Sequence, residues 1–158
     1  MESMGKQIQI LFTLSLLLTS PALASSVGLG GGLLDSYGIA GVGLNGELDL
    51  GPESALELAL GTFGAGIAGY VGGKYFFEPQ HKGFNLSAGV GYDLNILVVG
   101  PWLRAAVGYR FLLTNQLELD LQGGLGLVRA DVIPLLGASS EGSFALNPSF
   151  GLRLGFRF

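Results

Sequence analysis

The feature that most constrains this chain is an alternation of period two. It returns eight times after Ser26, and no stretch keeps a helical period for three turns. Successive side chains of a strand point to opposite faces, so each alternating segment reads as a strand with one apolar face. The last segment puts Phe150, Leu152, Leu154, Phe156 and Phe158 on one face and Ser149, Gly151, Arg153, Gly155 and Arg157 on the other. The one before sets Leu117, Leu119, Leu121, Leu125 and Leu127 against Glu118, Asp120, Gln122, Gly124 and Gly126. Going back along the chain, similar faces run through Leu103 to Phe111, Phe84 to Tyr92, Ile67 to Phe77, Leu56 to Leu60 and Ala40 to Leu50. Val27 to Leu34 is the weakest, because Gly28, Gly30, Gly31 and Gly32 blur its faces. Each segment is about 9–12 residues long, the length a tilted strand needs to cross a bilayer.

Turn signals separate the segments. Gly51 to Ser54, Glu78 to Gly83 and Leu113 to Gln116 are short and polar. Asp35 to Tyr37, Phe63 to Gly66 and Asn95 to Gly100 alternate with them, and Asp131 to Ser143 is the longest connection. Every strand can therefore pair with its sequence neighbours, as in an up-and-down barrel.

Period two does not say which face points out, and composition decides it. Charged residues make up 13% of the chain, whereas a soluble exterior carries about 25–35%. The face opposite the apolar one is mostly Gly, Ala and Ser with a few charges, which suits the narrow interior of an eight-stranded barrel. Tyr75, Phe77, Phe84, Tyr109, Phe111, Phe156 and Phe158 gather at one set of strand ends of the apolar face, with Tyr92 and Phe150 towards the other. That is the girdle pattern of a membrane interface. The expected fold is all-β, an eight-stranded antiparallel up-and-down transmembrane β-barrel over residues 25–158.

Residues 1–24 are expected to be a cleaved signal peptide. Lys6 is the positive start, Ile8 to Leu18 the apolar run, and Ala22-Leu23-Ala24 the small-x-small cleavage pattern. The run is roughly half of what a membrane-spanning helix needs. The net charge of −4 argues against a nucleic-acid partner. The absence of Cys removes thiolate metal sites and disulfides, and with one His no metal or cofactor is expected.

The segment Phe150 to Phe158 ends on an aromatic with alternate apolar residues behind it. It resembles the C-terminal targeting strand of bacterial outer-membrane β-barrels. Length and strand count make the chain similar to the OmpA/OmpX-type small barrels. The resemblance implies a Gram-negative-type bacterium, export through the periplasm and residence in the outer membrane. It implies outer-membrane lipid, periplasmic chaperones and the barrel assembly machinery as partners, and a monomer. Phe150, Leu152, Leu154, Phe156 and Phe158 would be the assembly signal, and the turns at Gly51, Glu78 and Leu113 would face the periplasm. Family members that act as adhesins have long polar outer loops, and here most outer connections are short.

Inward parity collects Glu47, Glu57, Lys74, Arg104, Arg110, Glu118, Asp120, Arg153 and Arg157. Acids and bases nearly balance, and buried charges persist only when paired. The turn near Thr114 puts Arg110 opposite Glu118 or Asp120, and the turn at Pro52 brings Glu47 near Glu57. Lys74, Arg110 or Arg153 is expected to bridge these two acids. The function read from this is a non-enzymatic barrel with a structural or interaction role and a salt-bridged, largely plugged interior. The alternative is a narrow, porin-like channel for small hydrophobic or polar solutes. Other motifs carry less. Two G-x-G-x-x-G matches, at Gly41 and Gly64, open no helix. Asn85-Leu86-Ser87 is a sequon in mid-strand. Trp102 has inward parity and is expected to pack. His81 falls in a turn and is expected to be solvated, away from the outer surface where lipid-modifying barrel enzymes work.

Overall fold

In the computed structural model, which describes residues 25–63, 66–94, 98–129, 131–132 and 144–158, the alternating segments pair antiparallel. The described residues form β1 (Ser26–Asp35), β2 (Gly38–Gly51), β3 (Ser54–Phe63), β4 (Gly66–Glu78) and β5 (Lys82–Leu94). They continue with β6 (Val98–Leu112), β7 (Leu117–Arg129), the two-residue β8 (Asp131–Val132) and β9 (Phe144–Arg157). β9 pairs with both β7 and β1, and β5 with both β4 and β6. The eight long strands thus close into a barrel with no free edge, which satisfies the backbone without help from solvent. β8 only extends the end of β6, pairing with Val98 and Val99. The segment expected to be a signal peptide lies outside the described residues, as does most of the connection from Asp131 to Ser143.

The strands run from 10 to 15 residues, longer than the alternation alone suggests. The ladders continue past the apolar stretch into the rims, where the amides still need partners. β9, for example, begins at Phe144, well before its clean alternation starts at Phe150. The three short polar turns fall at Pro52–Glu53, 79–81 and 113–116. They share one end of the barrel, referred to here as the turn side.

The two faces of every strand separate in the expected sense. Leu29, Leu44, Val90, Leu103, Leu125 and Leu152 are exposed on the outside. Glu47, Glu57, Lys74, Arg110, Glu118 and Asp120 are buried within. The exterior aromatics pack edge to face at the turn-side rim, with Tyr75 against Phe77 at 5.7 Å and Phe84 against Tyr109 at 4.9 Å between ring centroids.

The interior has two layers. The half away from the turns is apolar and aromatic: Leu34, Tyr37, Ala59, Tyr70, Trp102 and Val128 form one buried cluster. Trp102 stacks on Tyr70 with centroids 5.3 Å apart and planes 9° from parallel. The turn-side half holds most of the buried charges of the described residues, while Asp35, Asp93 and Arg104 lie beside the aromatic cluster. The turn between β1 and β2 folds into the aromatic layer, since Leu34 takes a positive φ of 49° and Tyr37 is buried. Only glycine could lie beneath it. A Cβ on Gly61 would sit 2.0 Å from the Tyr37 carbonyl oxygen, and one on Gly41 2.4 Å from the same atom. Part of the glycine content is therefore a seat for a turn inside the lumen.

Candidate functional site

The candidate site is the turn-side layer of charge, and strand register assembles it. Glu47 stands directly opposite Glu57 across β2 and β3. Arg110 stands opposite Asp120 across β6 and β7, and Asp120 opposite Arg153 across β7 and β9. These side chains meet in the middle because the lumen of eight strands is only as wide as the side chains that fill it.

Glu47 is the hub. Its Oε1 lies 2.6 Å from Lys74 Nζ and 2.7 Å from Arg110 Nη2, and Arg153 Nη1 donates to the same oxygen. Lys74 spans the lumen, reaching Asp120 Oδ2 at 2.8 Å and lying 3.7 Å from Glu57 Oε2. Arg110 Nη2 is also 2.8 Å from Asp120 Oδ2, and its Nη1 is 3.3 Å from Glu118 Oε2. Arg153 Nη2 lies 2.8 Å from Glu118 Oε1 and donates to Ser26 Oγ at 2.5 Å. The Glu47–Glu57 pair is thus held beside Lys74, an arrangement that lets two close carboxylates coexist.

Arg104 does not join this hub. It sits one layer away, 2.7 Å from Asp35, donating to Ser149 at 2.9 Å and to Gln122 at 2.5 Å. Polar neutral residues link the two groups: Ser36 donates to Glu57 at 2.9 Å, and Gln122 donates to Asp120 at 3.3 Å. Arg157 lies at the rim, half-buried, 3.9 Å from Glu118 and donating to the Gln80 carbonyl at 2.5 Å. Beside the network, burial and the nearby Glu57 carboxylate push the phenol of Tyr37, in the β1–β2 turn, well above its ordinary range. Tyr37 therefore stays neutral in the lumen.

Sequence reasoning missed several members. Asp35 read as a turn residue, yet the inward bend at Leu34 buries it. Ser36, Asn45 and Gln122 were passed over because only charges were collected, although Asn45 and Gln122 share the inward parity. Phe76, between Tyr75 and Phe77, is fully buried and faces inward, with the Arg110 guanidinium 4.6 Å from its ring centre. Its even position beside Lys74 was the available signal.

His81 corrects an expectation. It is not solvated but buried, 3% exposed. Gln80 and His81 take left-handed φ values of 69° and 53°, which turn the chain inward. The ring packs on Phe76 at 4.9 Å, its Nδ1 lies 2.9 Å from Asp49 Oδ1, and its Nε2 lies 2.8 Å from the Gly51 carbonyl oxygen. Trp102, expected to pack, does so on Tyr70.

The terminal residues close the barrel. β9 is hydrogen-bonded on both sides, Arg157 N donates to the Gln116 carbonyl at 2.7 Å, and Phe158 N to the Ser25 carbonyl at 3.2 Å. Phe150, Leu152, Leu154, Phe156 and Phe158 all face outward.

No protein-family model and no curated protein matches the sequence. Among solved structures, the chain is similar to the N-terminal β-barrel domain of Pseudomonas aeruginosa OprF. The TM-score is 0.58 at 16% identity, over 86% of this chain and 99% of that one. In fold, therefore, the chain is a closed eight-stranded antiparallel barrel similar to that domain.

Proposed function

We propose that this protein is a non-enzymatic barrel of the bacterial outer membrane, with a structural or interaction role and an interior closed by its charge network. One observation carries the reading: the inversion of the usual solvent order. Large apolar side chains ring the outside of the barrel, while Glu47, Lys74, Arg110, Asp120 and Arg153 are buried. Soluble monomers rarely expose contiguous apolar patches larger than a few hundred Å², and this belt runs round every long strand. Lipid is the solvent that makes such a surface favourable. The fold shared with an outer-membrane barrel domain supports the same location. The surroundings of His81 support the absence of catalysis, since its two nitrogens meet a carboxylate and a backbone carbonyl rather than a hydroxyl that could act as nucleophile.

A narrow channel is the second reading. It is favoured by the polar continuity of the lumen, which runs from Asp35 and Arg104 through Gln122 and Ser36 to Glu118 and Arg157. Planar-bilayer recording of purified protein separates the two. A closed barrel gives no stable conductance, and a steady conductance from the unmodified chain would overturn the plugged reading.

Assembly rests on the last strand. Deleting Phe158 removes an outward aromatic, its edge contact with Phe156 and one terminal hydrogen bond, and leaves the β1–β9 seam in place. The expected result is a large drop in the membrane-inserted fraction in cells, with refolding into detergent micelles unchanged. Equal insertion of the two chains in a fractionation experiment would remove the assembly role.

A further inference from the structure

The turn between β4 and β5 does not project from the barrel. It lies across the turn-side mouth and is held from two directions. From β9, across the barrel from this hairpin, Arg157 Nη1 donates to the Gln80 carbonyl at 2.5 Å. From β2, Asp49 and the Gly51 carbonyl hold the His81 ring at 2.9 Å and 2.8 Å. Beneath lies Phe76, against the Arg110 guanidinium of the charge layer. Gln80 and His81 both need left-handed backbone to make this bend, a conformation that is strained for a non-glycine residue. Such a bend persists only while contacts over-determine it.

The chemistry of the His81 contacts sets their proton dependence. A carboxylate and a carbonyl oxygen are acceptors only, and imidazole has two N–H groups only when doubly protonated, so the ring can donate to both oxygens only in that form. A neutral ring would satisfy one oxygen and turn a lone pair towards the other. The remaining charged groups around the turn are placed otherwise. Glu78 and Lys82 pair with each other at 4.0 Å on the hairpin. The Glu53 carboxylate accepts from Tyr75. Arg110 is in contact with Phe76 and Arg157 with Gln80.

We propose that the β4–β5 turn is a proton-dependent lid over the turn-side mouth, latched by His81 in its doubly protonated form. The closed lid is the state that uses both protons. Lowering pH therefore favours closure, and raising it favours opening. The inference does not require the barrel to conduct.

The test uses the full chain folded in detergent micelles with isotope-labelled histidine. Trypsin cleavage after Lys82 reports lid opening, measured against a free peptide spanning Glu78 to Asn85 at the same pH so that the protease's own pH dependence cancels. Losing one part-buried hydrogen bond shifts the open fraction by about tenfold. Normalised cleavage is therefore expected to rise by about tenfold between about pH 5.5 and about pH 8. Nitrogen spectra should show both His81 nitrogens protonated at the lower pH. His81→Gln should be cleaved fast at both pH values, and Arg157→Gln faster than the unmodified chain at each while keeping its pH dependence. Normalised cleavage of the unmodified chain that does not change with pH, or a His81 ring neutral at the lower pH, would overturn the proposal. The unmodified chain alone decides this, even if a variant fails to fold.

Discussion

Replacing Arg110 by alanine is expected to lower the unfolding free energy of the folded barrel by about 3–5 kcal/mol, read as a shift of the urea midpoint followed by Trp102 fluorescence. Arg110 is buried and reaches three acids at once: Glu47 at 2.7 Å, Asp120 at 2.8 Å and Glu118 at 3.3 Å. Its removal leaves Lys74 to serve Glu47 and Asp120, and Arg153 to serve Glu47 and Glu118. The lost attraction is not the whole cost. The acids remain in a narrow interior where an under-compensated charge is far more expensive than at a surface. Water entering the space vacated by the guanidinium would relieve part of that cost, and it would also open a path past Phe76. A smaller stability loss should then come with a conductance in planar bilayers. Arg110→Lys, which keeps the charge but loses the fork that serves several oxygens together, should fall between the two. An Arg110→Ala barrel with the same midpoint and no conductance would show that the network contributes neither stability nor closure.

Trp102→Ala is expected to cost a similar amount, about 3–5 kcal/mol, by a different mechanism. Trp102 is 1% exposed, stacks on Tyr70 at 5.3 Å, and lies over Gly91, where a Cβ would come within 2.2 Å of the indole. Removing the indole leaves a cavity that the closed sheet cannot collapse to fill, because each of the eight long strands is hydrogen-bonded on both sides. The unfolding must be followed by circular dichroism, since Trp102 is the single tryptophan. The turn-side charges are untouched by this change, so no conductance should appear. If Trp102→Ala conducts while Arg110→Ala does not, the aromatic layer is the barrier and the charge layer is a lining.

The amino-acid sequence by itself determined the strands, their faces and their partners. Period two sets which residues share a face, and short polar turns force neighbouring strands to pair antiparallel. A one-residue slip would exchange outward and inward side chains. That logic is enough to set Arg110 opposite Glu118 or Asp120 and Glu47 near Glu57, and the register of the folded barrel selects Asp120. The low charge of the wall and the outward aromatics were equally legible, because both follow from which residue types occupy each face of the alternation.

Only the tertiary structure decided what crosses the lumen. Lys74 reaches Asp120 from three strands away round the barrel, and Arg153 reaches Glu47 from two away. Such contacts depend on barrel diameter and side-chain length, and alternation along one strand encodes neither. The two inward turns were also invisible. Asp35, Ser36 and His81 are residue types that usually mark solvated turns, and here positive φ at Leu34, Gln80 and His81 bends them into the barrel. Local chemistry favours turn residues in water. The closed wall instead offers glycines to sit on at one end and Phe76, Asp49 and Arg157 at the other, and those contacts outweigh the local preference.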